Sequence, residues 1–337
     1  MERLSKMIDY RVERWKGCKA YHIAGMRMDE VDPAAPMLQY ICKALNLDME
    51  QRFWLAWLYS TCYSAPTAFY MITHLPRPES ISDQRMESWW FLNKRRMVFE
   101  SDRRYVKNCN EFPAMFASYK EYTRGGALKA FLRLKKETRQ ATYDAIFADV
   151  GKRLYFFGRY SNFMYLETIY NLTKFPMWPT GLNLREARTS RNGLCYALGR
   201  EDWVRKSGKA AKLTKEQFAY LQGQLRRLYE EICADAPDVP TTYWNLETSL
   251  CAYYKLFKPT RYAGYYIDRQ MQEIEAMEKL APDGANWKLL WKFRRQHFDP
   301  RSLGELNGYV GVRQSMMNYF LDTGQYTPEE MRSVTYR

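Results

Sequence analysis

The sequence lacks the short motifs by which many nucleotide-dependent, metal-dependent and hydrolytic enzymes are recognised. It contains no GxxxxGK[ST] loop, no GxGxxG after a predicted strand, no HExxH, no GxSxG and no HxE paired with PCxxC. Each of those patterns exists because its chemistry needs those side chains at that spacing. P-loop kinases, zinc proteases, serine hydrolases and zinc deaminases are therefore disfavoured.

Histidine is scarce and cysteine is unpaired. Three His occur, His22, His74 and His297, and they lie far apart in the sequence without metal-ligand spacing. Seven Cys stand singly with no CxxC pair, which is typical of reduced thiols in a cytoplasm rather than of a disulfide scaffold. We therefore expect no His-built zinc or di-iron site, and no cofactor is evident.

Charged residues are missing from one long stretch, residues 53–73. The run is long enough to span a bilayer, but its centre contains Ser, Thr and Pro. The sequence therefore predicts a buried helix, a turn near Ser64-Ala65-Pro66 and a second buried segment. The charged N-terminus shows no signal peptide, so we expect no membrane partner.

Basic and aromatic residues are abundant. Lys and Arg number 52 against 38 Asp and Glu, which gives a formal net charge of +14. The chain also has 27 Tyr, 17 Phe and 10 Trp. This charge balance favours a polyanionic partner, above all nucleic acid. Most rings should lie in the core, and a minority could stack on bases.

Helix signals dominate the pattern. Asp48, the Thr214–Gln217 box and Thr327-Pro328 each mark a helix start, whereas sustained period-two alternation is scarce. The sequence predicts a mainly α, compact multi-helix fold with little β structure, either undivided or with two lobes meeting near 174–200. We expect an N-terminal helical extension over 1–36, the main helical domain over 37–313 and a C-terminal helical tail over 314–337.

The first candidate stretch for chemistry is residues 155–178. On a helix, Arg159 and Glu167 share a face about 12 Å apart along the axis. A cation and a carboxylate beside aromatic rings could hold a phosphate and a base. A core helix with a satisfied ion pair is the alternative, and composition alone favours it.

The second stretch is residues 181–203. Arg185, Arg188 and Arg191 are spaced three apart, and guanidinium groups bind phosphate through two parallel hydrogen bonds. Ser190 to Gly193 resembles a turn entering or leaving a helix, in which Gly would let the backbone approach a ligand. A solvated helix face followed by an ordinary turn is an equal alternative. Cys195 is expected to be a small buried apolar residue.

The third stretch is residues 241–275. It places Trp244, Asn245 and Glu247 at a predicted helix start, and Asp268 and Arg269 after a turn at Gly264. Carboxylates buried among aromatic rings can have raised pKa values and act as general bases. The alternative is a Tyr-rich core whose carboxylates form ion pairs.

Several separated blocks resemble the amino acid:DNA transferases of bacteriophages, in one order over roughly residues 37–313. The blocks are Leu47–Tyr70, Asp102–Lys107, Phe157–Tyr160 leading to Tyr165–Glu167, Pro179–Leu182, Ser190–Tyr196, Trp244–Cys251, Gly264–Arg269 and Leu303–Gly308.

The resemblance implies a step in thymidine hypermodification. A separate phage kinase would pyrophosphorylate 5-hydroxymethyluracil in double-stranded DNA. The transferase would then let the amine of a free amino acid, glycine in the family's best-known form, displace pyrophosphate at the 5-methylene carbon. It would act in the cytoplasm of the infected bacterial host. The family has also been likened to the helical DNA glycosylases, which implies a distantly glycosylase-like fold.

Residue chemistry within the matching blocks gives a hypothesis for the site. Guanidinium groups would bind the departing pyrophosphate, a carboxylate would deprotonate the amine, an amide would read the pyrimidine edge and rings would stack on a flipped base. The candidates are Arg159, Arg191 and Arg269 for pyrophosphate, Glu167, Glu247 or Asp268 for the base, Asn192 or Asn245 for the edge, and Tyr160 and Trp244 for stacking. No metal site is evident, although Mg²⁺ could enter bound to the pyrophosphate.

Two other functions compete with this one. A glycosylase-like enzyme would excise the base and leave an abasic site. A non-enzymatic phage DNA-binding protein would bind without consuming an amino acid.

Overall fold

The computed structural model describes residues 13–27, 29–100, 103–108, 110–204, 212–257 and 265–298. Within these ranges the chain forms α-helices and short 3-10 turns and no β-strand, which confirms the mainly α prediction. The helices are α1 Arg14–Arg27, α2 Ala34–Ala44, α3 Met49–Cys62, α4 Ala65–His74, α5 Asp83–Asn93, α6 Arg104–Asn108, α7 Phe112–Tyr122, α8 Ala127–Leu132, α9 Arg139–Arg153, α10 Arg159–Thr173, α11 Arg188–Ala197, α12 Lys215–Asp235, α13 Tyr243–Leu256, α14 Tyr265–Leu280 and α15 Trp287–His297.

The described residues divide into two units. Unit 1 contains residues before Ala34, residues from Thr180 to Asp268 and those from His297 onward. Unit 2 contains Ala34–Pro179 and Arg269–Gln296. The division between Pro179 and Thr180 lies within residues 174–200, and the predicted meeting of two lobes there stays a prediction. The boundaries at 36 and 313 stay predictions, and residues 299–337, with the Thr327-Pro328 signal, lie outside the described residues.

The uncharged run of residues 53–73 becomes two buried helices of unit 2, as predicted. Asp48 caps the start of α3 with a capping box. Its side chain accepts a hydrogen bond from the Gln51 backbone N–H, and the Gln51 side chain accepts one from the Asp48 backbone N–H. Tyr63 ends α3 in the left-handed region with φ 53°, and Ser64 precedes α4, whose second residue is Pro66. Among the described residues, no helix combines the length and apolarity that a bilayer crossing requires.

Aromatic side chains fill the core of unit 2. Trp54 and Trp57 of α3 stack at 5.0 Å between ring centroids, and Tyr119 of α7 contacts both rings. Tyr165 of α10 is fully buried and meets Phe131 edge to face. The expectation that rings mainly supply buried area is met in this core.

Unit 1 is built on the close packing of α11 against α13. A Cβ atom added at Gly193 would lie 2.0 Å from the Leu250 carbonyl oxygen, so the two backbones meet at this glycine. The prediction of a turn at Ser190 to Gly193 is therefore wrong, since these residues lie inside α11. Gly193 admits another helix rather than a ligand. Cys195 is fully buried as predicted, and burial raises its pKa to about 11.

Candidate functional site

A cluster of polar and aromatic side chains lies where α3 of unit 2 ends. We call it the α3-end cluster and define it as Tyr63, Ser64, Glu100, Arg103, Tyr160, Arg269 and Glu273. The left-handed turn at Tyr63 brings the chain from α3 into α4. The Glu100 backbone N–H then donates to the Cys62 carbonyl oxygen at 3.1 Å, which fixes Glu100 beside that turn.

Arg103 forms the cationic centre of this cluster. Its guanidinium is buried and donates through Nε to the Ser60 carbonyl oxygen at 3.1 Å, near the negative end of the α3 dipole. The same group lies 5.0 Å from the ring centroid of Tyr160 and 6.0 Å from that of Tyr63. The two tyrosine hydroxyls are 3.3 Å apart, and both rings are half-buried. Two partly exposed rings are thus held beside a fixed positive charge.

Glu273 and Glu100 flank Arg269 in the same cluster. Arg269 donates from Nη2 to Glu100 Oε2 at 2.8 Å and from Nε to Glu273 Oε1 at 3.2 Å. Glu273 is 7% exposed, whereas the side chains of Arg269 and Glu100 remain partly open to solvent. One cation therefore serves two carboxylates, of which Glu273 is the more deeply buried.

The environment of Glu273 changes its acidity. Burial raises its pKa from 4.5 to about 7, and the neighbouring Glu100 adds to the rise. Arg269 and the Ser64 hydroxyl favour the charged form and oppose the shift. The carboxylate form of a group with a pKa near 7 can accept a proton from an ammonium group at neutral pH and later release it.

Three other predicted site residues lie in unit 2, on α10. Arg159 is the first residue of that helix, and its guanidinium lies 6.0 Å from the Phe163 ring centroid. The next residue, Tyr160, belongs to the α3-end cluster. Glu167 is half-buried two turns further along. The structure therefore brings Tyr160 and Arg269 into one cluster and places Arg159 next to it in the chain.

In unit 1, α11 presents two polar side chains in succession. The Ser190 hydroxyl donates to Glu247 Oε1 of α13 at 2.7 Å, and both residues are buried. Arg191 is 2% exposed and donates through Nη1 to the Leu184 carbonyl oxygen at 3.2 Å. Its Nε and Nη2 are buried without an acceptor among the described residues.

The remaining predicted site residues of unit 1 are Asn245, Trp244, Asn192 and Asp268. Asn245 completes the capping box of α13 with Thr242, and its amide nitrogen donates to the Pro240 carbonyl oxygen at 2.9 Å. Trp244 is 1% exposed and so offers no open ring face to a base in this conformation. Asn192 and Asp268 are buried as well.

Metal ligation is the last feature of the site. Across the described ranges, no group of three or more His, Cys, Asp or Glu side chains is arranged to hold a metal ion. The entry of Mg²⁺ with pyrophosphate stays a prediction.

The described residues thus combine a helical fold with half-buried tyrosine rings beside a guanidinium and a carboxyl whose pKa is near 7, groups that suit chemistry on a nucleic-acid base. A sequence model of the family described as amino acid:DNA transferase matches residues 29–262. The match covers more than half of the chain, so the chain belongs to the amino acid:DNA transferase family. It is a transferase whose substrates are an amino acid and DNA.

A relative supports this assignment. The chain is 29% identical over 296 residues to a protein named serinyltransferase from Salmonella phage ViI, an alignment covering 82% of this chain and 71% of that protein. No solved structure matches the chain. The expected likeness to DNA glycosylases therefore stays a prediction.

Sequence reasoning missed Glu273, Glu100 and Arg103 as site residues. Arg103 lies in a block that carried the family resemblance, and Glu273 lies in the third stretch, but neither stood out. Their importance depends on contacts between residues distant in sequence, such as Arg269 with Glu100. A signal was present in the Arg269–Glu273 spacing, since residues four apart share a helix face.

Proposed function

We propose that this chain joins a free amino acid to the 5-methylene carbon of pyrophosphorylated 5-hydroxymethyluracil in double-stranded DNA. A carbon–nitrogen bond forms as the carbon–oxygen bond to the diphosphate breaks. The diphosphate leaves with the bonding electron pair. The incoming ammonium group must first lose one proton, because only the neutral amine is a nucleophile.

The observation that carries this proposal is the buried carboxyl of Glu273. Its pKa of about 7 suits a general base that takes a proton from an ammonium group. The sequence suggested three carboxylates as the base, Glu167, Glu247 and Asp268. We prefer Glu273 to these three as the candidate base. Arg269 holds Glu273 in place through the ion pair at 3.2 Å.

The rings of the α3-end cluster suit a flipped pyrimidine. Tyr63 and Tyr160 are half-buried, so a base can stack against them, and stacking tolerates a modified 5-position. Arg159, at the start of α10, is the first candidate for the departing diphosphate, since a guanidinium and a helix N-terminus both favour anions. Mg²⁺ could accompany the diphosphate.

Two amino acids are the main candidates for the nucleophile. Glycine follows from the family resemblance, and serine from the name of the phage relative, which shares 29% identity with this chain. Both offer a primary amine beside a carboxylate. The proposal also couples this transferase to a DNA base kinase that supplies its substrate, inside the infected bacterial cell.

The test is mass spectrometry of nucleosides from 5-hydroxymethyluracil DNA incubated with a base kinase, ATP, this protein and single amino acids. The proposal expects one new nucleoside, with the mass of thymidine substituted by one amino acid, that depends on both the kinase and the amino acid. Abasic sites instead would indicate glycosylase activity. Bound but unchanged DNA would contradict the proposed reaction.

A further inference from the structure

We propose that the exposed rings of Tyr155 and Phe156 insert into the DNA base stack at the gap left by the flipped nucleotide. The two residues lie between α9 and α10, in residues 154–158, which we call the α9–α10 loop. The whole loop belongs to unit 2, as does the α3-end cluster. This inference rests on the proposed function and names the segment that holds the duplex open.

The first support is that the two rings are exposed although the loop is anchored. Tyr155 and Phe156 are 48% and 40% exposed, whereas Leu154 and Phe157 on either side are buried. The Tyr155 backbone N–H also donates to Ser118 Oγ at 2.9 Å. Rings that stay in water forgo the free energy that burial provides, so a partner that covers them is favoured.

The second support is the conformation of the ring pair. The two ring centroids are 5.8 Å apart and the ring planes differ by 27°, so the rings form one nearly flat unit. Phe156 has φ 59°, in the left-handed region that bulky residues rarely adopt. Gly or Asn would meet this backbone requirement with less strain. A Phe at this position is therefore better explained by what its ring contacts outside the protein.

The third support is the position of the loop beside the site proposed for the flipped base. Tyr160, one of the rings proposed to stack on that base, lies in the first turn of α10, directly after the loop. Four residues extend at most about 14 Å, so the Cα atoms of Phe156 and Tyr160 are no further apart than that. A flipped nucleotide stays bonded to both neighbours in its strand, so its base lies close to the gap that it leaves. One short segment can therefore serve both.

Basic side chains on both sides of the ring pair favour DNA as the partner. Lys152 and Arg153 end α9 and are exposed, and Arg159 begins α10. Arg153 Nη1 lies 3.9 Å from Asp149 Oδ2, near the limit of an ion pair. Rings between cations match a partner whose bases stack on rings and whose phosphates attract Lys and Arg. An apolar protein surface would match the rings alone.

Insertion of the rings would lower the cost of flipping. A base that leaves the stack exposes the faces of its two neighbours, and this loss opposes flipping. Apolar side chains that enter a base step occupy such a gap and restore part of the lost contact. The equilibrium would then shift toward the conformation in which the target carbon is accessible.

Transfer kinetics on two duplexes test the inference. In one duplex the modified uracil is paired with adenine, and in the other it lies opposite a pyrene nucleotide, whose large flat ring fills the gap. Tyr155→Ala/Phe156→Ala should lower kcat/KM on the adenine duplex by roughly 5- to 150-fold, the loss of one aromatic–base stack. On the pyrene duplex its kcat/KM should be within about twofold of wild type, because the DNA then supplies the missing ring.

Two further variants separate this role from folding and from surface apolarity. Phe91→Ala/Leu92→Ala changes the other exposed pair of consecutive apolar residues in the described part of the chain, on α5, and should match wild type on both duplexes. Phe156→Asn suits the left-handed backbone, so it should unfold at or above the wild-type temperature and still lose activity on the adenine duplex.

The outcomes separate this inference from the proposed reaction. An equal loss on both duplexes, or no loss on either, would overturn the inference. A changed sedimentation coefficient with wild-type kinetics would make the rings a protein contact and also overturn it. If the wild-type protein forms no product, the proposed reaction fails. The two duplexes, treated with the kinase and repurified, are then compared by affinity without amino acid, and the absence of the same contrast would refute insertion.

Discussion

At the scale of single residues, Glu273 combines burial with a fixed cationic neighbour. Because burial raises its pKa to about 7, the carboxylate form, which accepts a proton, accumulates as pH rises through 7. The kcat/KM of transfer should therefore rise with pH through this region. Glu273→Gln should lower the rate by roughly 10²- to 10⁴-fold, the usual contribution of a general base, and remove that rise.

Two variants of neighbouring carboxylates make the Glu273 measurement specific. Glu275→Gln changes an exposed carboxylate on the same helix and should leave the pH profile unchanged. Glu100→Gln removes a charge that raises the pKa of Glu273, so the rise in kcat/KM should move to lower pH. A Glu273→Gln enzyme with wild-type rate and profile would exclude this residue as the base.

Burial raises the pKa of Glu273, whereas it lowers the pKa of His22. Its two ring nitrogens lie 2.7 Å from the Ser249 hydroxyl and 3.1 Å from the Thr241 hydroxyl, and burial lowers its pKa to about 4. The unfolded chain binds a proton near pH 6.5 and the folded chain does not, so stability is complete above pH 6.5 and falls as pH drops toward 4. The loss amounts to about 3 kcal/mol.

Chemical denaturation at pH 7.5 and pH 5 tests this linkage. His22→Gln should be less stable at pH 7.5, because it disturbs the contacts with Ser249 and Thr241, but it should lose less stability between the two pH values than the wild type. The control is His297→Gln, at a partly exposed histidine paired with Asp29. This variant should keep the loss of stability between pH 7.5 and pH 5 that we attribute to His22. An unchanged pH dependence in His22→Gln would refute the assignment.

At the scale of helices, the contact of α11 with α13 depends on Gly193. A methyl group there would lie 2.0 Å from the Leu250 carbonyl oxygen, and backbone cannot move aside as a flexible side chain can. Gly193→Ala should therefore destabilise the protein by about 3 kcal/mol or more. Gly223→Ala in α12 meets nothing within 4 Å and should stabilise by roughly 0.5–1 kcal/mol. Equal unfolding midpoints for the two variants would contradict the close packing.

Helix positions were largely predictable from sequence, whereas the roles of individual side chains were not. The Asp48 and Thr214 caps and the two buried helices of residues 53–73 follow from local signals, and all are present. Gly193 was misplaced because Asn-Gly is typical of turns, and only tertiary contact with Leu250 explains a glycine inside a helix. Asn192 or Asn245 was predicted to read the base edge, and the structure adds that Asn245 completes the capping box of α13 with Thr242.

The same limit applies to the candidate site. Arg269 stood out by its chemistry, but its partner Glu100 lies 169 residues away in sequence. A carboxyl acquires a raised pKa through burial, which no local pattern specifies for Glu273. The sequence therefore identified the family and the types of residue at the site. Which carboxylate is buried, and which guanidinium pairs with it, depends on the tertiary fold.

At the scale of the whole molecule, the net charge of +14 determines how the enzyme meets DNA. Each phosphate neutralised by Lys or Arg releases counterions, so affinity falls with salt by a slope of about −0.9 per contact on a log–log plot. KM for the DNA substrate should therefore increase steeply between 50 and 200 mM salt, roughly 10³-fold for about six contacts. KM for the amino acid should change much less, because a free amino acid, unlike DNA, carries no condensed counterions to release. A DNA KM that is flat over this range would mean that the excess positive charge does not contact the phosphate backbone.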